Sequence, residues 1–407
     1  NFCTQFYVTE TFVLVVIKCC HLLCIPIATF QRDDCCLDSF EENFRNIENG
    51  ARIVAVVPNS SNIVLQMPRG NIELINPRPL VIHDFKTKFD DAMYDQALII
   101  LKRNRVDLNI LFDHNPSVII HDTMSFVKKI NDQNLLVQIL AELNCNDVTI
   151  TIYKSMYPPD RTSLWESNKI SVVCNSIQRT CVEIDEEQYK FVIILSILKG
   201  SELGEEDALK YIMEINPESK ISKEEALKFI KLYVSSEVLY KKALGTYDLT
   251  LALMAAQITS RDPKEYVPYL QRLENFDPLY RNYIIDSDMK NYKKALTNIV
   301  QCNDQVEECL QFIKTHNLHV EALKLVDKSK SLYRLIGLQF AQILSENKQP
   351  VNSAIVYFSF NEFESALSQF CDAGCYEESM MSLNLIADSC LENTKRRLNI
   401  LSRIQIL

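Results

Sequence analysis

Apolar and polar positions divide the chain into a short strand-forming region and a longer helical region. β-Branched apolar runs recur in the first eighty residues, separated by turns such as Pro58-Asn59-Ser60-Ser61-Asn62, in which Pro sets φ and Asn tolerates positive φ. We expect strands at 12–17, 21–27, 52–57, 63–67 and 72–75 and a polar loop at 32–49. Five short strands leave sheet edges unpaired, so this pattern predicts the last strands of a larger β-structure, of the propeller or sandwich kind.

The prolines of Asn76-Pro77-Arg78-Pro79 end the strand region, because they can continue neither a ladder nor a helix. Apolar residues then recur every four positions from Phe85 to Leu101, which predicts a helical face. Ser222-Lys223-Glu224-Glu225 has the form of a capping box, and Asp262-Pro263 and Asp277-Pro278 are typical helix starts. Glycines mark expected helix ends at Gly200, Gly245 and Gly374.

A large residue followed three positions later by alanine recurs along the helical region. The pairs are Tyr94/Ala97, Tyr292/Ala295 and Phe363/Ala366, with the related Ala322 and Ala354 between the last two. This spacing predicts imperfect helical hairpins of the tetratricopeptide (TPR) kind that stack into an α-solenoid, most clearly over 290–388. An ordinary helical bundle is the alternative interpretation.

The predicted organisation is therefore mainly α. Residues 1–80 form the terminal strands of an incomplete β-propeller, and residues 81–407 form an α-solenoid of TPR-like hairpins. Within the second part we expect an irregular insertion around 150–185, because Tyr157-Pro158-Pro159-Asp160 and the lone Trp165 interrupt the helical pattern.

Composition argues against an enzyme that holds phosphates on backbone amides. Only 7 of 407 residues are glycine, about 2% against an average near 7%. No phosphate loop, dinucleotide fingerprint, nucleophile elbow or two-histidine zinc helix occurs. The net charge of −10 disfavours whole-chain attraction to nucleic acid or to an anionic membrane. We therefore expect no enzyme activity, no cofactor and no membrane association.

The 14 cysteines include the adjacent pairs Cys19-Cys20 and Cys35-Cys36, which do not resemble a secreted disulfide framework. No signal peptide opens the sequence, and the apolar run 12–17 is far shorter than the ~20 residues that cross a bilayer. These features predict reduced thiols in a cytoplasmic protein that could also be nuclear. Because the sequence starts at Asn1, we expect it to begin inside a longer protein.

Two cysteine groups could hold a metal. In Cys19-Cys20-His21-Leu22-Leu23-Cys24, adjacent cysteines on a strand point to opposite faces, so an ordinary strand is favoured over a metal site. Cys371 and Cys375 share a helical face without a second ligand pair, which favours core thiols.

Histidines and carboxylates cluster at Asp113-His114-Asn115-Pro116 and at His121-Asp122. A His–Asp pair could do acid–base chemistry. A structural role is favoured, because Asn115-Pro116 breaks the preceding element and Asp122 suits the cap of the helix carrying Phe126.

Three small basic clusters could contact phosphate, although solvated helix faces are the simpler interpretation. They are Lys102-Arg103-Asn104-Arg105, Lys290 with Lys293-Lys294, and Lys395-Arg396-Arg397 with Arg403.

Several long strings resemble the family of the largest subunit of the Elongator complex. They lie at 54–58, 64–73, 77–80, 113–116, 244–249, 253–255 and 262–270. The resemblance extends to about Ala387, and the tail from Asp388 departs from the family. It implies that the strands end a second, WD40-like propeller and that the helices belong to the following solenoid.

The resemblance also implies function. The family scaffolds a complex that modifies carbon 5 of the wobble uridine in certain transfer RNAs, while a separate radical-SAM/acetyltransferase subunit is the catalyst. That subunit's Cys-x3-Cys-x2-Cys pattern is absent here, since Ile27 follows Cys20-x3-Cys24 at the required position. The expected partners are the other Elongator subunits, with tRNA as substrate of the whole complex.

The resemblance further implies a homodimer of the full-length protein through a carboxyl-terminal region outside this sequence, and no catalytic, metal, cofactor or partner-binding residue is carried over. Two alternatives stay open: a propeller–solenoid scaffold of a vesicle coat or ciliary transport train, and a direct tRNA-binding module.

Overall fold

The computed structural model describes residues 3–18, 20–31, 44–58, 60–165, 168–302 and 304–386. Cys19, the pair Cys35-Cys36, the basic cluster 395–397 with Arg403, and the divergent tail therefore lie outside the described residues. Two compact units divide the chain, one comprising residues 1–239 and the other residues 240–407.

The strands form two antiparallel sheets in the first unit. One sheet has the order β1-β2-β3-β4 and the other the order β5-β6-β7. Their bounds are β1 Cys3–Val8, β2 Phe12–Ile17, β3 His21–Pro26, β4 Phe44–Asn46, β5 Arg52–Val56, β6 Ile63–Gln66 and β7 Ile72–Ile75. Apolar side chains alternate along β2, where Leu14 is fully buried opposite Cys24 of β3.

Two strands were not predicted from the sequence. β1 is exposed along most of its length, so it lacks the alternation that reveals a half-buried strand. β4 has only three residues and lies inside the segment 32–49 that was predicted to be a loop, which is wrong for these three positions because they pair with β3. Membership of these sheets in a propeller stays a prediction.

Helices fill the rest of the described chain, which confirms the mainly α fold class with strands first. They are α1 Arg78–Asp90, α2 Tyr94–Arg103, α3 Ile110–His114, α4 Pro116–His121, α5 Thr123–Ile130, α6 Gln133–Glu142, α7 Lys169–Asp185, α8 Lys190–Gly200, α9 Gly204–Met213, α10 Lys223–Ile230, α11 Ser236–Leu244, α12 Leu249–Ile258, α13 Pro263–Glu274, α14 Pro278–Asp288, α15 Tyr292–Gln301, α16 Val306–His316, α17 His319–Leu325, α18 Ser331–Glu346, α19 Pro350–Ser359, α20 Phe363–Ala373 and α21 Tyr376–Leu385.

The predicted helix starts hold. Ser222 and Glu225 form a reciprocal capping box at α10, and the Asp262 and Asp277 carboxylates accept backbone N–H bonds at the starts of α13 and α14. Each cap satisfies amide donors that a helix leaves without an internal partner. The face predicted from Phe85 to Leu101 is instead split between α1 and α2, because the chain turns at Ala92 with φ of 57°.

The predicted irregular insertion at 150–185 is wrong over its second half. Residues 169–185 form α7, the longest helix of the described chain. Its buried face places Val173, Ile177 and Cys181 four residues apart. β-Branched residues and cysteines obscured this helical period in the sequence.

Short turns with one left-handed residue join many consecutive helices. At eight junctions, the residue two positions before the next helix has positive φ. These residues are Ala92, Asn131, Tyr247, Lys290, Asn317, Lys348, Asn361 and Gly374. Only one is glycine, so the low glycine content does not limit the number of tight helix–helix turns, although side chains at positive φ cost free energy.

The second unit stacks its helices through small residues. Ala295, Ala322, Ala354 and Ala366 are all fully buried. Their side chains let helices approach closely, and aromatic pairs fill the space beside them, with Tyr283 and Phe312 meeting edge to face at 5.3 Å. The alanine spacing seen in the sequence therefore marks helix–helix contacts.

Candidate functional site

The charged cluster that the sequence places at Asp113 is buried in the first unit. Asp113 lies on α3 with no exposed surface, and its Oδ1 is 2.7 Å from Nζ of Lys169 at the start of α7. Nε1–H of Trp165 donates to the same oxygen at 2.9 Å, and N–H of Val148 donates to Oδ2 at 3.0 Å. Both carboxylate oxygens therefore have partners.

Burial raises the pKa of Asp113, and the Lys169 ammonium and the N–H of Val148 oppose that rise. A buried carboxylate is tolerated when a cation and further hydrogen-bond donors compensate its lost hydration. This carboxylate is thus occupied by structural partners and is not available to a solvent-borne substrate.

Arg161 binds the end of α3 from the irregular segment. Its Nη2–H donates to the carbonyls of Asp113 at 2.6 Å and His114 at 2.9 Å, and its Nε–H donates to Thr149 Oγ1 at 2.9 Å. The last carbonyls of a helix lack internal partners, and a cation there also complements the helix dipole. Arg161 therefore fixes the irregular segment to α3.

His114 points away from Asp113 and contacts other groups. Its Nε2 is 3.0 Å from Asp90 Oδ1, and its Nδ1 is 3.2 Å from the hydroxyl of Tyr157. Burial lowers the pKa of His114, Asp90 opposes this change, and Lys86 and Arg161 add to it. The sequence-adjacent Asp113 and His114 consequently do not form an acid–base pair.

Lys86 and Arg161 share the ring of Tyr157. The Lys86 ammonium lies 3.5 Å from the ring centroid and donates to the carbonyl of Met156 at 2.6 Å, while the Arg161 guanidinium lies 4.6 Å from the centroid. Burial, assisted by repulsion from Arg161, lowers the pKa of Lys86 to about 8. These cation–π contacts anchor the Tyr157 loop to α1.

Asn109 completes the cluster at the other end of the segment. Its Nδ2–H donates to the Glu142 carbonyl at 3.0 Å, and its Oδ1 accepts from N–H of Asn144 at 2.9 Å and from Lys169 at 3.3 Å. Together these contacts hold residues 144–165 against the surrounding helices. This arrangement packs the segment against its neighbours and leaves no solvent-accessible acid–base pair among these residues.

The other histidine–acid group stays apart from this cluster. His121 ends α4 and is exposed, and Asp122 stands at the start of α5 without a side-chain cap bond. Asp122 thus has the predicted position but not the predicted hydrogen bond.

The thiols predicted to be structural differ in burial: Cys20 lies in the turn between β2 and β3 and not on a strand, and Cys371 and Cys375 are half-buried and not in the core as predicted. Cys24 is buried on β3, and burial raises its pKa to about 12. Cys371 donates to Ser379 Oγ at 3.6 Å, and Cys375 precedes α21. In the part of the chain that the structure describes, no three His, Cys, Asp or Glu side chains converge as metal ligands.

The described basic clusters are exposed. Lys102 and Arg103 end α2 and Arg105 follows it, whereas Lys290 and Lys293 lie at the start of α15.

The partners of Asp113, namely Lys169, Arg161 and Trp165, were missed by sequence reasoning because they lie about fifty residues away in the chain. The sequence feature that could have indicated these contacts is the presence of Trp165 and Arg161 in a polar segment that contains prolines.

Two of the strings that carry the family resemblance, 244–249 and 262–270, include helix starts of the second unit. At the junction of α11 and α12, Tyr247 has φ of 63° and its hydroxyl donates to Asp286 at 2.8 Å. The neighbouring Asp248 caps α12 by accepting N–H bonds from Thr250 and Leu251. These residues set the geometry of a helical turn.

Consecutive helices joined by tight turns and packed through small residues define the class of α-solenoid proteins. A family model described as the ELP1 alpha-solenoid matches residues 78–273. The chain belongs to the Elongator complex protein 1 family.

Curated relatives carry that name in distant organisms. The chain is 32% identical to Elongator complex protein 1 of Oryctolagus cuniculus over 395 residues, which cover 93% of the chain and 29% of that relative. It is 31% identical to the Schizosaccharomyces pombe protein over 362 residues, covering 88% and 29%. The Saccharomyces cerevisiae protein is 29% identical over 367 residues, covering 84% and 27%. The chain thus spans about 30% of the length of these relatives.

Among the described helices, none combines the length and apolar character needed to cross a membrane.

Proposed function

We propose that this chain acts as a non-catalytic scaffold within an Elongator complex. In this role it holds other subunits, including a radical-SAM/acetyltransferase subunit, in the arrangement that modifies carbon 5 of the wobble uridine in tRNA. Neither catalysis nor a cofactor resides in this chain. We place the complex in the cytoplasm and the nucleus, where thiols such as the free cysteines of this chain stay reduced. We also propose a homodimer through a carboxyl-terminal region outside this sequence.

The observation that carries the proposal is the use of the buried polar groups. Asp113, His114 and Lys169, which have the chemistry of an acid–base site, are engaged in holding residues 144–165. Stacked helices meanwhile present extended surfaces at which several partners can bind side by side. A scaffold raises reaction rates by effective concentration, since partners held at fixed geometry meet as if within one molecule.

Family membership supports the choice of assembly, because the relatives are named as protein 1 of the Elongator complex. Transport or coat scaffolds with similar architecture would bring membrane cargo instead. The test is affinity capture of the intact chain from cells, with the captured proteins identified by mass spectrometry. Elongator subunits are expected, and a preparation holding only coat or transport proteins would contradict the proposal.

A variant separates scaffolding from chemistry. Asp262→Ala with Pro263→Ala removes the cap of α13 and should cost about 1 kcal/mol of local stability. We expect less captured partner, with unchanged turnover for each complex that does assemble. Lys264→Ala, next to the cap, is the control. Normal assembly together with loss of a chemical step in a purified system would overturn the non-catalytic role.

A further inference from the structure

A cleft of about 610 Å³ opens in the first unit beside the end of α2. Its lining includes Lys102 and Arg105, the carboxylates Asp107 and Glu142, and the amide Asn109. It is separate from the buried Asp113 carboxylate, although Asn109 contributes to both. The cleft therefore brings the first basic cluster of the sequence to a concave surface.

The cations of this cleft are exposed and not neutralised. Lys102, Arg103 and Arg105 form no ion pair among the residues that the structure describes. Arg78 adds a fourth charge nearby, since its guanidinium donates to the carbonyl of Asn104 at 2.9 Å. Two of these four cations, Lys102 and Arg105, line the cleft with the carboxylates Asp107 and Glu142, and Arg103 and Arg78 lie beside it, so positive charges outnumber negative ones in this region of a chain with net charge −10.

Helix electrostatics explain only part of this cluster. Lys102 and Arg103 lie in the last turn of α2, where cations complement the helix dipole. Arg105 lies beyond the helix end, with φ of 52°, a conformation that costs an L-residue free energy. That backbone conformation places the guanidinium-bearing residue at the wall of the cleft.

The carboxylates of the cleft are already hydrogen-bonded. Glu142 Oε1 accepts from the Gln138 amide at 3.1 Å, and Asp107 Oδ1 accepts from N–H and Nδ2–H of Asn109, each at 2.8 Å. A ligand therefore meets cations with free bonding capacity beside carboxylates that are engaged. This arrangement suits a chain of mixed groups that presents carboxylates to Lys102 and Arg105.

The same carboxylates disfavour a nucleic-acid strand, because its regular phosphates would lie against Asp107 and Glu142. Single-stranded nucleic acid also needs aromatic faces for base stacking, and Tyr153, which lines the cleft, is 5% exposed. A protein segment meets both conditions, since it can place acidic and neutral residues independently.

We propose that the cleft at Lys102 and Arg105 is a docking site for an acidic, extended segment of a partner protein. This inference rests on the scaffold function and assigns one binding site to it. Electrostatic attraction makes the contact sensitive to ionic strength, since the cations are exposed to solvent.

The test measures binding of the intact chain to a fluorescein-labelled twelve-residue peptide of alternating Glu and Ser, by fluorescence anisotropy at low salt. Lys102→Glu with Arg105→Glu should weaken binding by about tenfold or more, because two attractive charges become repulsive. Glu142→Gln should strengthen binding by about twofold, because a negative charge that repels the peptide is removed from the cleft lining.

Lys290→Glu with Lys293→Glu is the matched control, since it reverses two exposed lysines elsewhere and should leave affinity within about twofold. Unchanged circular dichroism and melting of each variant establish that folding is retained. Equal loss in the control, or no measurable binding by the natural chain, would overturn the proposal. If a twelve-nucleotide RNA binds more tightly than the peptide, and Lys102→Glu with Arg105→Glu weakens that binding, the occupant of the cleft is nucleic acid and the proposal of a protein segment is wrong. The assay contains no other subunit, so its failure leaves the affinity-capture test of the scaffold function intact.

Discussion

Two buried aspartates show that the two units satisfy polar groups in different ways. In the first unit, Asp113 is neutralised by the Lys169 ammonium at 2.7 Å. In the second, Asp286 is 1% exposed and is held through Oδ2 by neutral donors, the Tyr247 hydroxyl and the Asn298 amide, each at 2.8 Å. Burial raises the pKa of Asp286, which favours its protonated form.

The difference follows from what each site must hold. Asp113, Lys169 and Arg161 fix residues 144–165, a segment of turns around the short 3-10 helix Lys154–Met156. Strong, directional ionic bonds give such a segment one position. Asp286 instead joins α14, α15 and the Tyr247 turn, whose position helix packing already determines. Its hydrogen-bond donors are neutral there, and the positive charge of Lys294 only opposes the rise in the Asp286 pKa that burial causes.

The largest expected effect comes from breaking the ion pair of the first unit. Lys169→Met leaves the Asp113 carboxylate buried without its cation, which should lower the free energy of unfolding by about 3 kcal/mol or more. Urea unfolding followed by circular dichroism measures this change. Lys228→Met removes an exposed ion pair with Glu224 and should cost less than about 0.5 kcal/mol.

Adding Asp113→Asn to Lys169→Met sharpens this test. With the charge removed from both partners, part of the lost stability should return, because no uncompensated ion is left in the interior. If the double variant is as unstable as the sum of the single variants, the two residues act independently and the description of the cluster is wrong.

The second unit should be broken most readily by steric means. A Cβ at position 337 of α18 would clash with the ring of Phe360, so Gly337→Ala should cost about 2 kcal/mol despite the better helix propensity of alanine. Denaturant unfolding of the intact chain measures the loss. Leu335→Ala alters an exposed residue of the same helix and should have little effect. A neutral Gly337→Ala would show that small residues do not control packing here.

Asp286→Asn should change the free energy of unfolding at pH 7 in the opposite direction from Lys169→Met. A raised folded pKa means that the native state resists ionisation, so the stability due to Asp286 is complete below the unfolded pKa near 4 and falls as pH rises. At pH 7 the neutral asparagine removes this loss, so we expect a small gain in stability at pH 7 and none at pH 4. Unfolding should be measured at pH 4 and pH 7. A loss of stability at pH 7 would mean that the ionised carboxylate is needed.

The outcome of sequence reasoning depended on how local each signal was. The capping box at Ser222 and the strand at 12–17 depend on neighbouring residues and were predicted with their partners or bounds. The ion pair of Asp113 with Lys169 and its bond from Trp165 join residues about fifty positions apart, and no local pattern specifies them. Family resemblance added the assembly, which no pattern of apolar positions could supply.

Two tight helix–helix turns of the second unit, at Lys290 and Gly374, isolate the cost of the left-handed backbone at these junctions. Gly374 has φ of 73° and open space where a Cβ would lie, so Gly374→Ala isolates the cost of the left-handed backbone, about 1 kcal/mol. Lys290 has φ of 63° at the equivalent turn and is exposed, so Lys290→Gly should recover about 0.5 kcal/mol or more. Differential scanning calorimetry of the two variants measures both changes in melting temperature. Opposite shifts in melting temperature would establish that backbone conformation limits stability at these junctions, whereas two destabilised variants would show that the Lys290 side chain contributes packing that outweighs its strained φ.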